Sequence, residues 1–336
     1  MRFFFILFVI TPLLSSCHLN NDEISLNGAS VTLEEKHLPV INEILFDPLQ
    51  KKDDSIKDQP DFVEIYNPGT ETVDLYGWHI QDCPTSSGKR YTYYFAEKTS
   101  SDNLLAPGQY GVIVPEETLD REASRLVDYY GYLSGNPAVR IFIVQRKTFS
   151  LNNDTDCVTL KDSNGAVIDS VAYSSTWHNP YSKNTKGVSL EKYNDQLVSN
   201  SPSSWSSSMD IAYGGTPGRS NSIYLPENRL EQTPSLKVIP ASFSPELNGT
   251  EDKANIRYSL PAGAYQVAAT VYDSSGKAVR TLAEGLPSGP EGELEWNGLE
   301  DDNSPALSGI YLVRVSVTGT AFSGTLQLQE NVALVR

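Results

Sequence analysis

Residues that could carry out acid–base or metal chemistry are dispersed along this chain. The four histidines, His18, His37, His79 and His178, are isolated from one another, so neither a His-x-His nor a His-Glu-x-x-His zinc pattern occurs. The sequence also has no Gly-x-Ser-x-Gly nucleophile elbow and no Gly-x-x-x-x-Gly-Lys phosphate loop. We therefore expect no catalytic residue, no metal and no cofactor, although distant residues could still assemble a site.

Carboxylates cluster in short acidic segments that could serve a hydrolase or bind calcium. The segments are Asp53-Asp54, Asp58 with Asp61, and Glu300-Asp301-Asp302. Glycosidases place two carboxyl groups about 5–9.5 Å apart across a cleft, and a linear sequence shows no cleft. We interpret these segments as solvated turns. Calcium is the alternative for the loops at 53–61 and 300–303, although neither matches the EF-hand pattern.

Two aromatic clusters could contact a ligand. Tyr91, Tyr93, Tyr94 and Phe95 form a dense predicted strand, whose alternate rings we assign to a core. The second cluster surrounds Trp177 and Tyr181 in a predicted loop. For this loop the sequence leaves core packing and contact with a sugar or a protein equally open, so Trp177 and Tyr181 are candidate ligand-contact residues.

The N-terminus has the pattern of a secretory signal. Met1-Arg2 precedes an apolar run over residues 3–10, and Leu14-Ser15-Ser16-Cys17 follows. The stretch 3–16 is too short for a membrane span, which needs about 20 apolar residues. Leu-Ser-Ser-Cys resembles the lipobox of bacterial lipoproteins. That resemblance implies cleavage before Cys17 and attachment of diacylglycerol to its thiol and of a fatty acid such as palmitate to its amine.

An ordinary signal peptide, cleaved elsewhere, is the alternative for this segment. It would leave Cys17 as a free thiol, which is uncommon in exported chains. The acyl chains of a lipoprotein would instead hold the protein firmly on a bilayer, since each buried methylene contributes about 0.8 kcal/mol.

Length and charge narrow the function classes. The chain has 336 residues, which predicts about two or three domains, and its 39% hydrophobic residues suffice for packed cores. With 26 basic and 42 acidic side chains the formal net charge is −16. This sign opposes attraction to phosphate backbones, so we expect no direct binding to nucleic acid.

Cys83 and Cys157 are the other cysteines. An oxidising compartment would allow them to pair, but two cysteines alone do not specify a bond. Strand alternation places both on the faces opposite their apolar neighbours, so a bridge across a sheet surface is possible if the Cα atoms lie within about 7 Å. The sequence leaves a disulfide and two separate thiols open.

The elements that must position these residues are mainly strands. Apolar runs bounded by turn residues predict strands at 40–44, 62–66, 78–80, 91–95, 110–114, 139–144, 157–160, 167–173 and 188–190. We assign Trp78 to a core. The one helix candidate spans 116–128, within an insertion between strands.

Ordered sequence blocks identify the first domain. Ile41-Asn42-Glu43-Ile44, then residues 61–67 and 73–80, are followed by blocks at 105–110, 157–165, 167–173 and 189–191, by Trp205, and by Gly215-Thr216-Pro217-Gly218. Together they resemble the lamin-tail domain. The resemblance implies an immunoglobulin-like β-sandwich that interacts rather than catalyses, enlarged here by the insertion at 116–136 and by the serine-rich stretch 199–208.

A second set of blocks marks another domain. Residues 254–260, 267–273 and 276–282 lead to Trp296-Asn297-Gly298 and to residues 308–315. This order resembles the immunoglobulin-like domain of the flagellar hook-capping protein (FlgD-like). The pattern also occurs in C-terminal sorting domains of the type IX secretion route, which residues 325–336 partly resemble, but the lipobox argues against that route.

These observations predict an all-β protein with two immunoglobulin-like β-sandwich domains in tandem. We divide the chain into a signal peptide (1–16), a flexible tether (17–36), a lamin-tail domain (37–222), a linker (223–234) and a FlgD-like domain (235–336). We expect a noncatalytic lipoprotein of the cell envelope, anchored by lipid at Cys17, in the outer membrane of a Gram-negative bacterium. Its partner would be a protein or a glycan.

Two other functions remain open. Lamin-tail domains are also attached to secreted nucleases and other hydrolases, so the chain could be an accessory protein of such an enzyme. The last alternative is a hydrolase whose active site is dispersed among the acidic loops; it would need a concave site with coupled carboxylates of shifted pKa.

The lipobox makes a prediction about the mature N-terminus. Mass spectrometry of the protein from its native host should find Cys17 as the first residue, carrying diacylglycerol and an amide-linked fatty acid. An unmodified Cys17, or a chain that retains residues 1–16, would contradict it.

Overall fold

The computed structural model of the chain describes residues 23–26, 29–32, 37–49, 58–96, 101–115, 125–144, 146–246 and 251–336. Its regular structure is almost entirely β-strand, arranged as two sandwiches in tandem, which confirms the predicted fold class. The strands of the N-terminal part are β1 (Glu23–Leu26), β2 (Ala29–Thr32), β3 (Val40–Leu45), β4 (Phe62–Tyr66), β5 (Val73–Asp74), β6 (His79–Gln81), β7 (Thr92–Tyr94), β8 (Leu104–Leu105), β9 (Tyr110–Pro115), β10 (Val139–Val144), β11 (Thr155–Lys161), β12 (Val167–Ser174), β13 (Leu190–Lys192) and β14 (Trp205–Ser207).

Helical structure is brief in the described residues. The helix α1 spans Arg125–Tyr129, and 3₁₀ turns occupy Ser101–Asn103, Gly131–Leu133, Ser175–Trp177, Pro202–Ser204 and Glu227–Arg229. Residues 125–128 of the helix predicted over 116–128 lie in α1, and residues 116–124 lie outside the described residues.

The first sandwich packs a six-stranded sheet on a four-stranded sheet. The larger sheet has the order β10-β9-β4-β3-β13-β14, and the smaller has β12-β11-β6-β7. All its strand pairs are antiparallel except β9 and β10, which run parallel because the insertion crosses over between them. Strands β5 and β8 form a separate pair.

Alternating apolar residues of both sheets fill the core. Ile44 and Ile65 of the larger sheet belong to one cluster with Ile80 and Leu160 of the smaller sheet, and all four are at most 1% exposed. Burying these side chains supplies most of the driving force for the sandwich. The predicted core positions of Trp78 and Tyr93 are confirmed, because both side chains belong to this cluster and are buried.

The six-stranded sheet is covered on its other face as well. Leu45 and Phe62 of this face pack against Leu126 and Tyr130, which belong to the insertion between β9 and β10. The double burial explains why every residue of β3 is buried, instead of alternating as in a half-exposed strand. Polar residues of β3 that point to this face are consequently enclosed too.

The second domain is a smaller sandwich. Its strands are β15 (Ser235–Ile239), β16 (Ser242–Phe243), β17 (Ala254–Ser259), β18 (Tyr265–Tyr272), β19 (Ala278–Ser288), β20 (Glu291–Trp296), β21 (Gly309–Gly319) and β22 (Thr325–Leu334). They form sheets of the orders β15-β17-β20 and β16-β22-β21-β18-β19. Trp296 is fully buried between them and contacts Phe243 and Tyr311 edge to face.

The segment 223–234, predicted as a linker, packs against both sandwiches. Ile223, Leu225 and Leu230 are at most 2% exposed and share an apolar cluster with Leu197 of the first domain and Ala262 of the second. Backbone hydrogen bonds hold the same segment at each end: the Leu225 amide donates to the Tyr193 carbonyl (2.8 Å), and the Ala262 amide donates to the Leu230 carbonyl (2.9 Å). The connection therefore fixes the two domains against each other.

A buried side chain adds a second link between the domains. The Asn179 amide, 2% exposed, donates to the carbonyls of Tyr265 (3.2 Å) and Ser288 (3.0 Å) on two strands of the second domain. Losing it would leave two buried carbonyl groups without these donors.

The predicted tether, 17–36, is partly described. Within it β1 and β2 pair as an antiparallel hairpin. Cys17 lies outside the described residues, so its lipidation stays a prediction. In the described part of the chain, no helix is both long and apolar enough to cross a bilayer.

The packed linker predicts that its leucines stabilise the protein. Leu225→Ala should lower the free energy of unfolding, measured by urea denaturation, by about 2–5 kcal/mol, which is the cost of a cavity in a core. The same substitution should make the segment 223–234 accessible to limited proteolysis. Leu307→Ala is the matched control, since Leu307 is 79% exposed and should change stability by less than about 0.5 kcal/mol. Equal effects of the two substitutions would mean that the linker is not packed.

Candidate functional site

Three glutamates stand side by side across the larger sheet of the first domain. Glu64 on β4 pairs directly with Glu43 on β3, and Glu43 pairs directly with Glu191 on β13. All three side chains are fully buried. We call them the glutamate row. Like charges directly opposite on neighbouring strands destabilise a sheet, so this arrangement must be compensated locally.

The segment 214–223 provides the compensation. It crosses the glutamate row and supplies hydrogen-bond donors: the Thr216 amide donates to Glu43 Oε1 (2.8 Å), the Gly218 amide donates to Glu64 Oε2, and Ser222 Oγ donates to Glu191 Oε2 (2.7 Å). We call 214–223 the return segment. Its Gly218 adopts a φ of +80°, a left-handed conformation that favours glycine.

Strand side chains complete the shell around the glutamate row. Ser189 Oγ donates to Glu43 Oε1 (2.6 Å), and the Asn42 amide donates to Glu64 Oε1 (2.8 Å). The Asn221 amide donates to the carbonyls of Asn42 (3.1 Å) and Lys192 (2.8 Å). The return segment is thereby attached to three neighbouring strands at once.

The geometry around Thr216 indicates that one carboxyl of the row carries a proton. Thr216 Oγ1 lies 2.8 Å from Glu191 Oε1 and 3.3 Å from Glu43 Oε2. A hydroxyl has a single proton to donate, so both contacts are hydrogen bonds only if either Glu43 or Glu191 is protonated and donates to Thr216. Burial raises the pKa of Glu43 well above its ordinary value, and the charges of Glu191 and Glu64 raise it further.

The other two carboxyls are shifted in the same direction. Burial raises the pKa of Glu64 to about 8, against hydrogen bonds from Gly218 and Asn42 that lower it. Burial also raises the pKa of Glu191, whose hydrogen-bond donors oppose the shift. Coupled carboxyls with raised pKa values are frequent in active sites, but these three are sealed from solvent. The glutamate row therefore holds the return segment against strands β3, β4 and β13.

Sequence reasoning missed the glutamate row. The three residues stand in blocks that were used only to identify the domain, and candidate carboxylates were sought in acidic turns. The available signal was a glutamate flanked by apolar residues in 62–66, and a glutamate next to an apolar residue of a predicted strand in Ile41-Asn42-Glu43-Ile44 and in 189–191.

Cys83 and Cys157 form a disulfide in the structure, with their Cα atoms 5.0 Å apart. The pairing of Thr159 with Gln81 and of Leu160 with Ile80, continued along the strands, places the two cysteines opposite each other. Their sulfurs and Asp156 are close enough together to resemble a metal-ligand group, but both sulfurs are consumed by the bond. A bridge with a sequence separation of 74 stabilises a fold by about 4 kcal/mol through loop closure.

An open cavity of about 700 Å³ lies beside this disulfide. We call it the disulfide cavity; its lining includes Asp82, Tyr91, Asn152, Asp156, Tyr173 and the hydroxyl residues Thr85, Ser86, Ser150, Thr155 and Ser174. Its volume falls in the range of about 300–1,000 Å³ that is typical of ligand pockets.

A smaller groove of about 280 Å³ lies between the domains. Trp177 lines it, together with Trp205 of the first domain and Ala262, Ala264 and Ala321 of the second. Trp177 is half-buried and also packs against the core of the first sandwich. Tyr181 is half-buried and is outside the set that lines this groove. The structure does not bring the two predicted contact residues into one cavity.

Two of the histidines, His79 and His178, are packed inside the first domain. His178 is buried against the Phe46 ring, its Nδ1 lies 2.9 Å from Ser207 Oγ, and burial lowers its pKa to about 4. His79 is buried beside the Tyr94 ring, and burial lowers its pKa as well. Both are neutral at neutral pH, and they lie on separate elements.

The acidic turn at 300–302 uses its carboxylates for its own backbone. Asp301 Oδ1 accepts the Thr281 amide (2.8 Å), and Asp302 Oδ1 accepts the Ser304 amide (2.8 Å). Asp301 and Asp302 are also exposed, in agreement with the interpretation as a solvated turn. Asp53 and Asp54 lie outside the described residues, and the calcium alternative for that loop stays open.

Family comparisons match both sandwiches. Residues 34–175 match the Lamin Tail Domain family, and residues 243–321 match the FlgD Ig-like domain family. These matches confirm the two resemblances and their order along the chain. No curated protein matches the sequence.

Solved structures resemble the chain only weakly. Dimeric latent PorU from Porphyromonas gingivalis is 12% identical with a TM-score of 0.23; the match covers 88% of this chain and 20% of PorU. CopC from Methylosinus trichosporium OB3b is 18% identical with a TM-score of 0.22, covering 30% of this chain and 93% of CopC. A tetra-tandem repeat from the extending region of a large adhesion protein is 13% identical with a TM-score of 0.21, covering 91% and 52%. Because the chain spans about a fifth of the PorU length, and the TM-scores are low, these likenesses carry no functional argument.

The raised pKa of Glu64 predicts a pH-dependent stability. The folded protein holds this proton more tightly than the unfolded chain, so the contribution is fully present below pH about 4.5 and is lost as the pH rises through about 8. Urea denaturation over this window should show the free energy of unfolding falling by a few kcal/mol. Glu64→Gln should make this fall smaller, with Glu43 and Glu191 supplying the remainder, whereas Glu227→Gln, at an exposed glutamate, should retain the full fall. A wild-type profile that is flat or rises would contradict the assignment.

Proposed function

Because this chain carries a lamin tail domain followed by a FlgD Ig-like domain, we propose that it is a noncatalytic lipoprotein of the cell envelope. It acts as a binding module that displays two fixed β-sandwiches to a protein or glycan partner. Lipid at Cys17 anchors it to the membrane, with the outer membrane of a Gram-negative bacterium as the proposed location.

The observation that carries this proposal is the contrast between the sealed and the open sites. The glutamate row has the shifted, coupled carboxyls that a hydrolase needs, but all three are fully buried. Among the described residues, the disulfide cavity is open and is lined mainly by hydroxyls and rings. Such a surface can hydrogen-bond a ligand, and its two carboxylates, Asp82 and Asp156, are engaged by backbone amides.

The domain junction supports display of the two domains as one unit. The linker and Asn179 connect both sandwiches through buried contacts. A fixed pair loses less conformational freedom on binding than two domains on a mobile linker would. The family pair also supports interaction in place of chemistry.

The proposal is tested by asking whether the protein retains an envelope component without converting it into products. The full chain, purified in detergent and immobilised, is exposed to solubilised envelope protein and to envelope polysaccharide, and the same chain unfolded and reduced serves as control. We expect saturable retention on the folded chain alone, with the retained component recovered at its original mass.

Two results would contradict this function. One is equal retention on folded and unfolded chains. The other is conversion of a captured component into products at an enzymatic rate, which would favour a hydrolase.

A further inference from the structure

Two exposed cations meet at Tyr91, a residue of the disulfide cavity lining. Lys89 lies just before β7, and Arg146 lies just after β10. We call these two residues the basic patch. In a chain with a net charge of −16, two cations on one ring are a local concentration of positive charge.

Tyr91 joins the two halves of the basic patch. Lys89 Nζ lies 4.3 Å and Arg146 Cζ 5.0 Å from the centroid of its ring. Lys89 also donates to the Tyr91 hydroxyl (3.2 Å), and Arg146 approaches the Tyr93 ring at 5.7 Å. Cation–π contacts of this kind orient cations without neutralising them.

The basic patch is not consumed by internal ion pairs. In the part of the chain that the structure describes, neither of its two cations lies within 4 Å of a carboxylate oxygen. Other exposed cations are paired: Arg257 with Glu293, and Lys186 with Asp47. The patch therefore keeps its charge available to a ligand.

The carboxylates beneath the patch are turned inward. Asp82 Oδ1 accepts the Tyr91 amide (2.7 Å), and Asp156 accepts the amides of Cys83 (3.2 Å), Cys157 (2.8 Å) and Asn152 (3.0 Å). Their charge opposes an anion, but they are buried in the floor, whereas Lys89 and Arg146 are exposed beside Tyr91. The floor and the disulfide hold the rim residues in place.

Resting on the proposed function, we propose that the disulfide cavity and the basic patch bind a short acidic oligosaccharide. The hydroxyl and amide groups of the lining, among them Ser150, Asn152 and Thr155, match sugar hydroxyls, which both donate and accept hydrogen bonds. Lys89 and Arg146 would contact the carboxylate or sulfate groups of the sugar through charge-assisted hydrogen bonds. Tyr91 is a positioning residue for these two cations.

The same features argue against nucleic acid as the ligand. A nucleic acid would extend past the basic patch onto the acidic remainder of the protein, which has a net charge of −16 and would repel its phosphates. A cavity of about 700 Å³ accommodates a few sugar rings with their charges beside the patch. A short anion gains the local attraction and avoids the wider repulsion.

Calorimetric titration of the full chain in detergent tests the proposal. The probes are tetrasaccharides of galacturonate, of guluronate and of chondroitin sulfate, each paired with a neutral counterpart: the two uronates after carboxyl reduction, and the chondroitin sulfate after both desulfation and carboxyl reduction. At least one acidic probe should bind, about tenfold or more tightly than its neutral counterpart, and its affinity should fall with added salt.

Variants assign the binding to the patch. Lys89→Gln and Arg146→Gln should each weaken the acidic probe about tenfold or more. Lys183→Gln, at an exposed lysine of the same domain outside the cavity, should leave the affinity unchanged. Tyr91→Leu should weaken binding, and Tyr91→Phe should largely restore it, because the ring that orients the cations is kept.

Several outcomes would overturn the inference. They are no binding of any acidic probe, equal binding of the neutral counterparts, indifference to Lys89→Gln and Arg146→Gln, and equal competition by a short DNA duplex. If envelope capture still succeeds in these cases, only the inference fails and the proposed function stands. If capture and titration both fail, the proposed function fails as well.

Discussion

The first domain depends on the accommodation of three carboxyls inside a β-sheet. Glu64, Glu43 and Glu191 stand directly opposite one another on adjacent strands and have no access to solvent. Ionised together they would repel, and unpaired they would cost several kcal/mol each in desolvation. The fold resolves this conflict by protonation and by donors from the return segment, so the end of the domain is bound to its beginning.

The hydrogen bonds between the return segment and the glutamate row also affect the junction between the two domains. The return segment ends at Ser222 and Ile223; Ser222 donates to Glu191, and Ile223 enters the apolar cluster at the domain junction. The segment whose donors satisfy the carboxyls of the glutamate row therefore also contributes to the contact with the second sandwich. Polar burial of this kind adds little net stability but strongly restricts alternative arrangements.

The proposed binding surface lies on the other sheet of the first domain, away from the glutamate row. The disulfide cavity sits on the smaller sheet, where β6 and β11 are bridged and the loops before β7 and after β10 converge. The core beneath it is rigid and apolar, and the chemically versatile groups stand on connections at its rim. Recognition on loops that a rigid scaffold positions is the common use of such sandwiches.

Much of the architecture followed from the sequence. Predicted strands at 62–66 and 139–144 coincide with β4 and β10, since alternating apolar residues bounded by turn residues leave little choice. The strand predicted at 188–190 was displaced to Leu190–Lys192, because Val188 closes a turn with Thr185 and Ser189 bonds to Gly214. Strand β14 was missed, since serines dominate it and only its edge position next to β13 makes it a strand.

The sites were less predictable, for a physical reason. Local spacing reveals a motif whose ligands are close in sequence, whereas the glutamate row joins positions 43, 64 and 191 through strand register. The meeting of Arg146 with Tyr91 likewise depends on two loops from different sheets. Trp177 and Tyr181 are four residues apart, but only Trp177 lines the groove between the domains, and the loop after the turn at Ser175–Trp177 docks the second domain through Asn179.

The central claim, that the protein binds its ligand without chemistry, is tested most directly by hydrogen–deuterium exchange of the full chain with and without envelope polysaccharide. The length of the polysaccharide is measured after the exchange. We predict slower amide exchange around 82–91 and 146–156, unchanged exchange at the glutamate row, and polysaccharide of unaltered length. Protection centred on Glu43 and Glu191, accompanied by shortened polysaccharide, would show that the carboxyls perform chemistry and that the protein is not a binding module.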